Sequence, residues 1–360
     1  MIFAGLEELF MNLFGNNVRI SLFGESHGAA VGCTVDGLPA GFEPNVECIR
    51  FELNRRAPHS GTESTQRKET DDFNIVSGIL NGKCTGAPLT VLFRNRDVNS
   101  TDYKTNIPRP SHADLAARIK FGGFNDPRGG GMFSGRMTLP IVFCGAIFKQ
   151  ILSNAGVRIA SHIYKIGDLD DVPFRPVMTQ FPVLDPFFPL INKELRRDIE
   201  YLFTALRESG NSVGGTVECA ALGVPAGIGA PFFNGLESTI AHILFSIPGV
   251  HGVEFGAGFG FSEMLGSDAN DPILTSLATE TNNSGGINGG ISNGMPIILR
   301  AVFRPVPSIS LPQPSVNLDS GEAVILEIEG RHDCCILPRG CSVIEAAVAI
   351  ALYDAMYHLK

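Results

Sequence analysis

Short strand-like runs alternate along the chain with helical ones, and glycine-rich connections separate them. The strand-like runs are "VRISLF", "PLTVLF", "TVECAAL", "PIILRAVF" and "AVILEIE". Apolar periodicity predicts helices over 46–55, 113–120, 139–155, 192–208, 235–246 and 342–358. Glycine concentrates in the connections at 128–135, 209–215, 256–260 and 284–294. With no repeat at a fixed period, this pattern predicts one α+β or α/β domain with many loops.

The connections lack the fingerprints of nucleotide-binding folds. Neither G-x-G-x-x-G nor G-K-[ST] follows a strand-like run. Residues 169–190 are the exception to the regular alternation, because prolines there are scattered among large apolar residues. We therefore predict an irregular insertion at that point.

Charge and cysteine usage exclude several classes of protein. The net charge of −9 disfavours nonspecific binding to nucleic acid or to a membrane surface. Arginine supplies 20 of the 28 cationic side chains, and its planar guanidinium binds phosphate and carboxylate through two hydrogen bonds at once, which favours an anion pocket. The eight cysteines form no C-x-x-C pair and no metal-type spacing, so we expect a reduced, cytoplasmic chain without a metal site. The apolar run "LPIVFCGAIF" stops at Lys149, too short to span a membrane.

The stretch "FGESHG" reads at first as the G-x-S-x-G nucleophile elbow of serine hydrolases. An elbow requires a helix directly after the serine, whereas "AAVGCTVDGLPAG" predicts another strand and a turn. A polar turn between two strands is the simplest structural alternative. The remaining chemical candidate is His27, whose neighbouring glycine at position 28 permits close approach to a ligand.

Four other polar stretches are ambiguous when each is taken alone. "RPSHAD" places His112 at a helix start, where a capping or surface role is common, and Ser111 is a candidate cap. "RGGG" offers backbone N–H groups to an anion, but a glycine-rich loop is a weak signal. The arginines of "NRRAPHSGTESTQR" can form a solvated face, and "GRHD" can be an exposed Arg–Asp pair.

Taken in order, these stretches resemble the chorismate synthase family. The likeness runs from about Met11 to Leu359 through "FGESHG", "RR", "RPSHAD", "RGGG", "GNSVGG", "VPAGIG", "SIPGVHGVEFGAGF", "GGINGGISNG", "RPVPSI" and "GRHD". The resemblance implies an α+β fold with helices between antiparallel sheets, a single domain over 11–360, and an extension over 1–10. It also implies a homotetramer that converts 5-enolpyruvylshikimate 3-phosphate to chorismate by 1,4-anti elimination of phosphate, with reduced FMN and no net redox change.

The resemblance also assigns roles to individual residues. His27 would be the acid near the leaving phosphate, His112 the partner of the reduced flavin, and Asp333 the base that helps flavin N5 take the ring proton. The residues that would bind the anionic substrate are Arg55, Arg56, Arg109, Arg136 and Arg331. Those that would bind FMN are Met132, Phe133, Ser134, Pro248, Gly249, Gly289, Arg304, Pro305, Val306, Pro307, Ser308 and Arg331. Ser26 would then be a neighbour of the chemistry.

Several positions depart from the family pattern. Met132 and Phe133 replace an Arg-Ser pair after the glycines, Arg304 replaces lysine, Cys334 replaces proline, and Asn211 replaces aspartate. The loss of a cation near FMN raises the alternative of a non-catalytic flavin- or anion-binding homologue, while His27, His112 and Asp333 together favour an enzyme. Some family members reduce FMN with NADPH themselves. Without large inserts, this chain resembles those that depend on an external reductant or reductase.

Overall fold

The computed structural model describes residues 12–58, 71–96, 106–328 and 333–357. The α-helices are α1 (Val46–Arg56), α2 (Asp114–Lys120), α3 (Thr138–Asn154), α4 (Leu195–Ser209), α5 (Leu236–Phe245), α6 (Gly266–Ala269) and α7 (Leu337–Met356). Short 3-10 helices lie at Arg128–Phe133, Gly135–Met137, Phe232–Asn234 and Gly258–Glu263. All six predicted helices are present. Five lie within three residues of their predicted bounds, and α7 begins five residues before its predicted start.

The strands are, in chain order, β1 (Leu13–Phe14), β2 (Arg19–Gly24), β3 (Ala30–Asp36), β4 (Phe73–Ser77), β5 (Ile79–Leu80), β6 (Lys83–Cys84), β7 (Leu89–Arg94), β8 (Arg158–Ile166), β9 (Leu169–Asp170), β10 (Gly215–Leu222), β11 (Val250–Phe255), β12 (Ile287–Asn288), β13 (Ile291–Ser292), β14 (Ile297–Phe303), β15 (Gln313–Val316) and β16 (Ala323–Leu326). All five strand-like runs of the sequence contain a strand. Residues 171–190 are irregular, as predicted.

Two five-stranded antiparallel sheets form the outer layers. One has the order β1-β2-β3-β7-β4 and the other the order β11-β14-β10-β8-β9. Helix α3 packs on β3 of the first sheet, α7 packs on β8 and β10 of the second, and the two helices pack on each other. The prediction of helices between antiparallel sheets is therefore confirmed.

Alternating burial in β7 shows why these runs become strands of an outer layer. Leu89, Val91 and Phe93 are fully buried, while the residues between them are half-buried. Side chains of a strand point alternately to the two faces of the sheet, so the alternation in β7 places one apolar face against the helices. The strand "TVECAAL" of β10 is buried along most of its length, as befits the central strand of its sheet.

The central helix α7 is predominantly apolar and buried on all sides, with 18 of its 20 residues buried. Such a helix is stable only inside the protein. It approaches α3 closely at Gly145, where a Cβ would lie 2.3 Å from that of Ala346. The helical stretch Gly135–Asn154 is long and apolar enough to cross a membrane, but 72% of it is buried inside the fold, as in the core helix of a globular protein.

The end of α7 anchors the beginning of the first sheet. The buried carboxylate of Asp354 accepts hydrogen bonds from the backbone N–H groups of Asn16, Asn17 (2.7 Å) and Val18 (2.8 Å). Three converging donors suit a carboxylate because charge-assisted hydrogen bonds are strong. This contact fixes the segment that leads into β2 and its "GESHG" loop.

Candidate active site

A cavity of about 850 Å³ opens where the ends of several elements converge. Arg56 comes from the last position of α1, Thr138 from the first of α3, and Phe303 from the last of β14. The first turns of α7 complete the wall. The wall thus combines residues of α1, α3 and α7, of β11 and β14 in the second sheet, and of the loop that follows β2 in the first. The cavity therefore depends on how these layers pack together.

Most of the residues that the sequence singled out line this cavity: Arg56, Arg109, His112, Met132, Phe133, Ser134, Arg136, Pro248, Gly249, Arg304, Pro305, Val306, Pro307, Ser308 and Asp333. His27 lies beside it, next to Gly129 of the wall. Arg55 and Gly289 lie off the wall; Gly289 is in the turn between β12 and β13. Arg331 lies outside the described residues.

The triple glycine brings the two histidines together. All three glycines have positive φ, from 53° to 83°. A Cβ on Gly129 would lie 2.5 Å from Cδ2 and Nε2 of His27, and one on Gly130 would lie 3.2 Å from Cε1 of His112. The glycines thus allow two imidazole rings to pack on one turn of backbone, which side chains at these positions would prevent.

Ser26 is held in place on the same turn. Its backbone N–H donates to the carbonyl of Gly131 (3.1 Å), and the side chain is almost fully buried. The chain continues through a turn into β3, not into a helix. The geometry therefore agrees with the rejection of a serine-hydrolase elbow.

Asp114 organises the "RPSHAD" turn. Its carboxylate accepts from Nε (2.8 Å) and Nη2 (2.9 Å) of Arg109 and lies 2.6 Å from Nδ1 of His112. Burial alone would raise the pKa of Asp114, but the hydrogen bonds from Arg109 and His112 hold it well below its usual value. An ionised carboxylate only accepts, so Nδ1 of His112 carries its proton toward Asp114. The expectation that Ser111 caps the helix is wrong, because α2 begins at Asp114 and Ser111 has φ +59°.

A cluster of cations forms another part of the wall. Asp71 bridges Arg56 (3.2 Å) and Arg136 (2.8 Å), and all three side chains are nearly buried. Burial lowers the pKa of Arg56 to about 10, with Arg339 and Arg136 contributing in the same direction and Asp71 opposing them. Cations crowded in this way are stabilised by an anion, so the cluster fits a phosphate or carboxylate ligand.

Asp333 lines the same cavity from the segment that leads into α7. Its carboxylate is paired with Arg339 of α7, and both side chains line the cavity. The sequence did not single out Asp71 or Arg339, nor His251, which also lines the wall. Each is a single polar residue in an ordinary surrounding, so no local pattern marks it.

Arg55 belongs to a separate buried network. Its guanidinium binds Glu345 through Nη1 (2.6 Å) and Nη2 (2.8 Å), and Glu345 also binds Lys149 (2.6 Å). Glu52 contacts both cations. Burial alone would raise the pKa of Glu345, but Arg55 and Lys149 lower it well below its ordinary value. Arg55 therefore ties α1 to α7, whereas its neighbour Arg56 faces the cavity.

Asp126 and Arg128 border the ring of His27. Arg128 donates to the carboxylate of Asp126 from Nε (2.9 Å) and Nη2 (2.7 Å). These hydrogen bonds lower the pKa of Asp126, and the charge of His27 adds to this effect. His27 therefore lies between an ionised carboxylate and the cationic cavity.

Comparisons with known proteins identify the family of this chain. The sequence model of the family "Chorismate synthase" matches residues 18–357. Chorismate synthase of Thermococcus gammatolerans is 46% identical over 351 residues, covering 96% of this chain and 98% of the relative. Chorismate synthase of Methanocella arvoryzae is 44% identical over 355 residues, covering 96% and 94%.

A solved structure gives the same result for the fold. A crystal structure titled chorismate synthase has a TM-score of 0.70 and 26% sequence identity, and the match covers 95% of this chain and 92% of that one. The family match spans nearly all of the domain, and the relatives are matched over almost their full length. The chain therefore belongs to the chorismate synthase family, a family of lyases.

Proposed function

We propose that the protein converts 5-enolpyruvylshikimate 3-phosphate to chorismate and phosphate by 1,4-anti elimination, as a step of the shikimate pathway toward aromatic amino acids. The observation that carries this proposal is the pair of histidines on the triple-glycine turn beside a cationic cavity. The reaction breaks one C–O bond to phosphate and removes one ring proton. It therefore needs an acid, a base and a site for a multiply charged anion.

The substrate carries a phosphate and two carboxylates, and the arginine cluster matches that charge. Arg56, Arg136 and Arg109 each present a guanidinium to the cavity, held by Asp71 or Asp114. Planar guanidinium groups bind phosphate and carboxylate oxygens in pairs. We propose that Arg331 belongs to the same set, and we leave Arg55 out because its guanidinium binds Glu345.

The surroundings of each group support its proposed acid or base role. We propose His27 as the acid that protonates or hydrogen-bonds the leaving phosphate, because its ring packs on Gly129 of the cavity wall. His112, with Nδ1 bound to Asp114, presents Nε2 toward the triple-glycine turn and the cavity. Asp333, on the cavity wall with Arg339, is the proposed base for the ring proton.

The cavity also fits a flavin. Its volume is in the upper part of the roughly 300–1,000 Å³ typical of small-molecule pockets, which leaves room for a cofactor and a substrate together. Apolar side chains of Phe303, Ile336 and Val343 suit an aromatic ring system, and Arg304 supplies a cation for a phosphate. The segments 132–134, 248–249 and 304–308 would hold FMN. When bound, reduced FMN supplies electron density to the allylic centre from which phosphate leaves.

Three further properties are proposed with the function. A homotetramer is supported by large apolar side chains left exposed in the single chain, among them Phe232, Phe233 and Phe259. Gly289 would reach FMN only within such an assembly, since it lies off the cavity of one chain. A cytoplasmic location is supported by eight free cysteines. An external reductant or reductase would supply reduced FMN.

The test is anaerobic incubation of the protein with 5-enolpyruvylshikimate 3-phosphate and chemically reduced FMN, with chorismate and phosphate both measured. We expect both products in equal amounts. His27→Ala and His112→Ala should each lower kcat by about 10²–10⁴-fold while the protein stays folded. Binding of FMN and substrate without turnover would identify a non-catalytic homologue and refute the proposal.

A further inference from the structure

Asn95 connects the loop that carries His27 to Arg136 of the cation cluster. It follows β7 directly, and its side chain is half-buried beside the cavity wall. Its Oδ1 accepts from Nε of Arg136 (3.0 Å), while Nδ2 donates to the carbonyls of Glu25 (3.0 Å) and Gly28 (2.9 Å). A guanidinium only donates and a carbonyl only accepts, so the orientation of the amide is fixed by its partners.

The two carbonyls bracket the loop that carries His27. Gly28 also donates its N–H to the carbonyl of Glu25 (3.1 Å), which closes the turn around Ser26 and His27. The backbone N–H of Asn95 donates to the carbonyl of Ala29 (3.2 Å). A single residue therefore holds this loop by three hydrogen bonds to the end of β7.

The other side of the amide is joined to the cation cluster. Arg136 is nearly buried and is fixed by Asp71 as well as by Asn95. Asp71 contacts Arg136 and Arg56, the two arginines of the cluster. The side chain of Asn95 bonds to the histidine loop and to the anion-binding Arg136 at once.

We propose that Asn95 is a positioning residue that sets the distance between His27 and Arg136, so that the proton donor and the cation meet the same phosphate. This inference rests on the proposed function, since it requires His27 to act on the substrate. Displacement of a reacting group by about 1 Å costs on the order of 10²-fold in rate. The contribution of Asn95 is therefore expected in kcat.

Asn95→Asp separates the two halves of the role. The substitution keeps the oxygen that accepts from Arg136 but replaces the donor to Glu25 and Gly28 with a second acceptor. We expect kcat to fall by about 10²-fold and KM to change less than about threefold, since the anion-binding arginine keeps its partner. Asn81→Asp adds the same charge at an exposed position in the turn between β5 and β6, off the cavity wall, and should leave both constants unchanged.

A double-mutant cycle tests whether Asn95 works through His27. With His27→Ala already present, Asn95→Asp should lower the remaining rate by less than about threefold. If Asn95 acts by positioning His27, the first substitution already removes most of its contribution. A full additional loss, or a single variant Asn95→Asp with parental kcat, would overturn the inference. If Asn95→Asp does not fold, Asn95→Ala removes the side-chain contacts to Glu25, Gly28 and Arg136 without repulsion and enters the same cycle. Failure of the parent enzyme to form chorismate would instead refute the proposed function.

Discussion

Gly129 makes a sharp test of how the triple glycine serves the site. Gly129→Ala places a Cβ 2.5 Å from the ring of His27, whereas ordinary contacts begin near 3.4 Å. The ring must then move by roughly 1 Å, a displacement that costs on the order of 10²-fold in rate. A non-glycine residue at φ +59° is also strained, which lowers the free energy of unfolding by about 1–2 kcal/mol.

Gly123→Ala is the matched control. Gly123 has φ +85°, and a Cβ there meets nothing within 4 Å. It should therefore lose a similar free energy of unfolding, by about 1–2 kcal/mol, while its rate of phosphate release stays at the parental value. The two variants are compared by calorimetry and by kcat at saturating substrate and reduced FMN. If Gly129→Ala keeps kcat within threefold of Gly123→Ala, the close packing of His27 on this turn does not matter for turnover, and the reasoning fails.

Three other changes test separate parts of the structure. Met132→Arg with Phe133→Ser should tighten FMN binding by roughly 1.5–3 kcal/mol through a restored charge-assisted contact, measured by flavin titration; unchanged affinity would show that the loop does not face the cofactor. Glu345→Gln should lower the free energy of unfolding by about 3–5 kcal/mol, because Arg55 and Lys149 lose the more deeply buried of the two carboxylates that hold them. The folded pKa of Glu345 is depressed, so the parent's advantage is complete above the ordinary glutamate pKa and declines as pH falls below it; a pH-independent difference in urea melts would contradict this. Removal of residues 1–10 should leave melting temperature, oligomeric state and turnover unchanged, and a lower melting temperature or a broken oligomer would give the segment a structural role.

Periodicity in the sequence predicted the elements well, and its errors have physical causes. The last helix begins at Leu337, five residues before its predicted start at 342, and its first turn contains Pro338. Proline is tolerated in the first helical turn, where its missing N–H has no partner to lose. Gly340 also lies inside the helix. A Cβ there would come within 3.0 Å of the ring of Phe303, so close packing favours glycine at this position. Only the tertiary contact reveals that reason.

Sequence motifs predicted which residue types line the site. They did not predict which of two neighbouring residues faces the cavity, because that depends on tertiary packing. Arg55 and Arg56 are adjacent in "NRR" but point in different directions from α1, one to Glu345 and one to the cavity. Successive helical residues are about 100° apart, so only one of two neighbours can face a given pocket. Asn95 and Asp71 carry no local signal, since their importance comes from partners distant in the sequence.

The anchoring of Asn16–Val18 by Asp354 has a consequence for biosynthesis. The contact joins residues 336 to 338 positions apart, and the anchoring helix α7 also forms the centre of the sandwich. During synthesis the "GESHG" loop leaves the ribosome long before the helix that holds its strand in place. The inner face of the second sheet and the side of α3 that faces it therefore lack α7, the helix that packs between them, until nearly the whole chain has been made. We expect nascent chains that stop before α7 to depend on chaperones, and the active site to form in one late step.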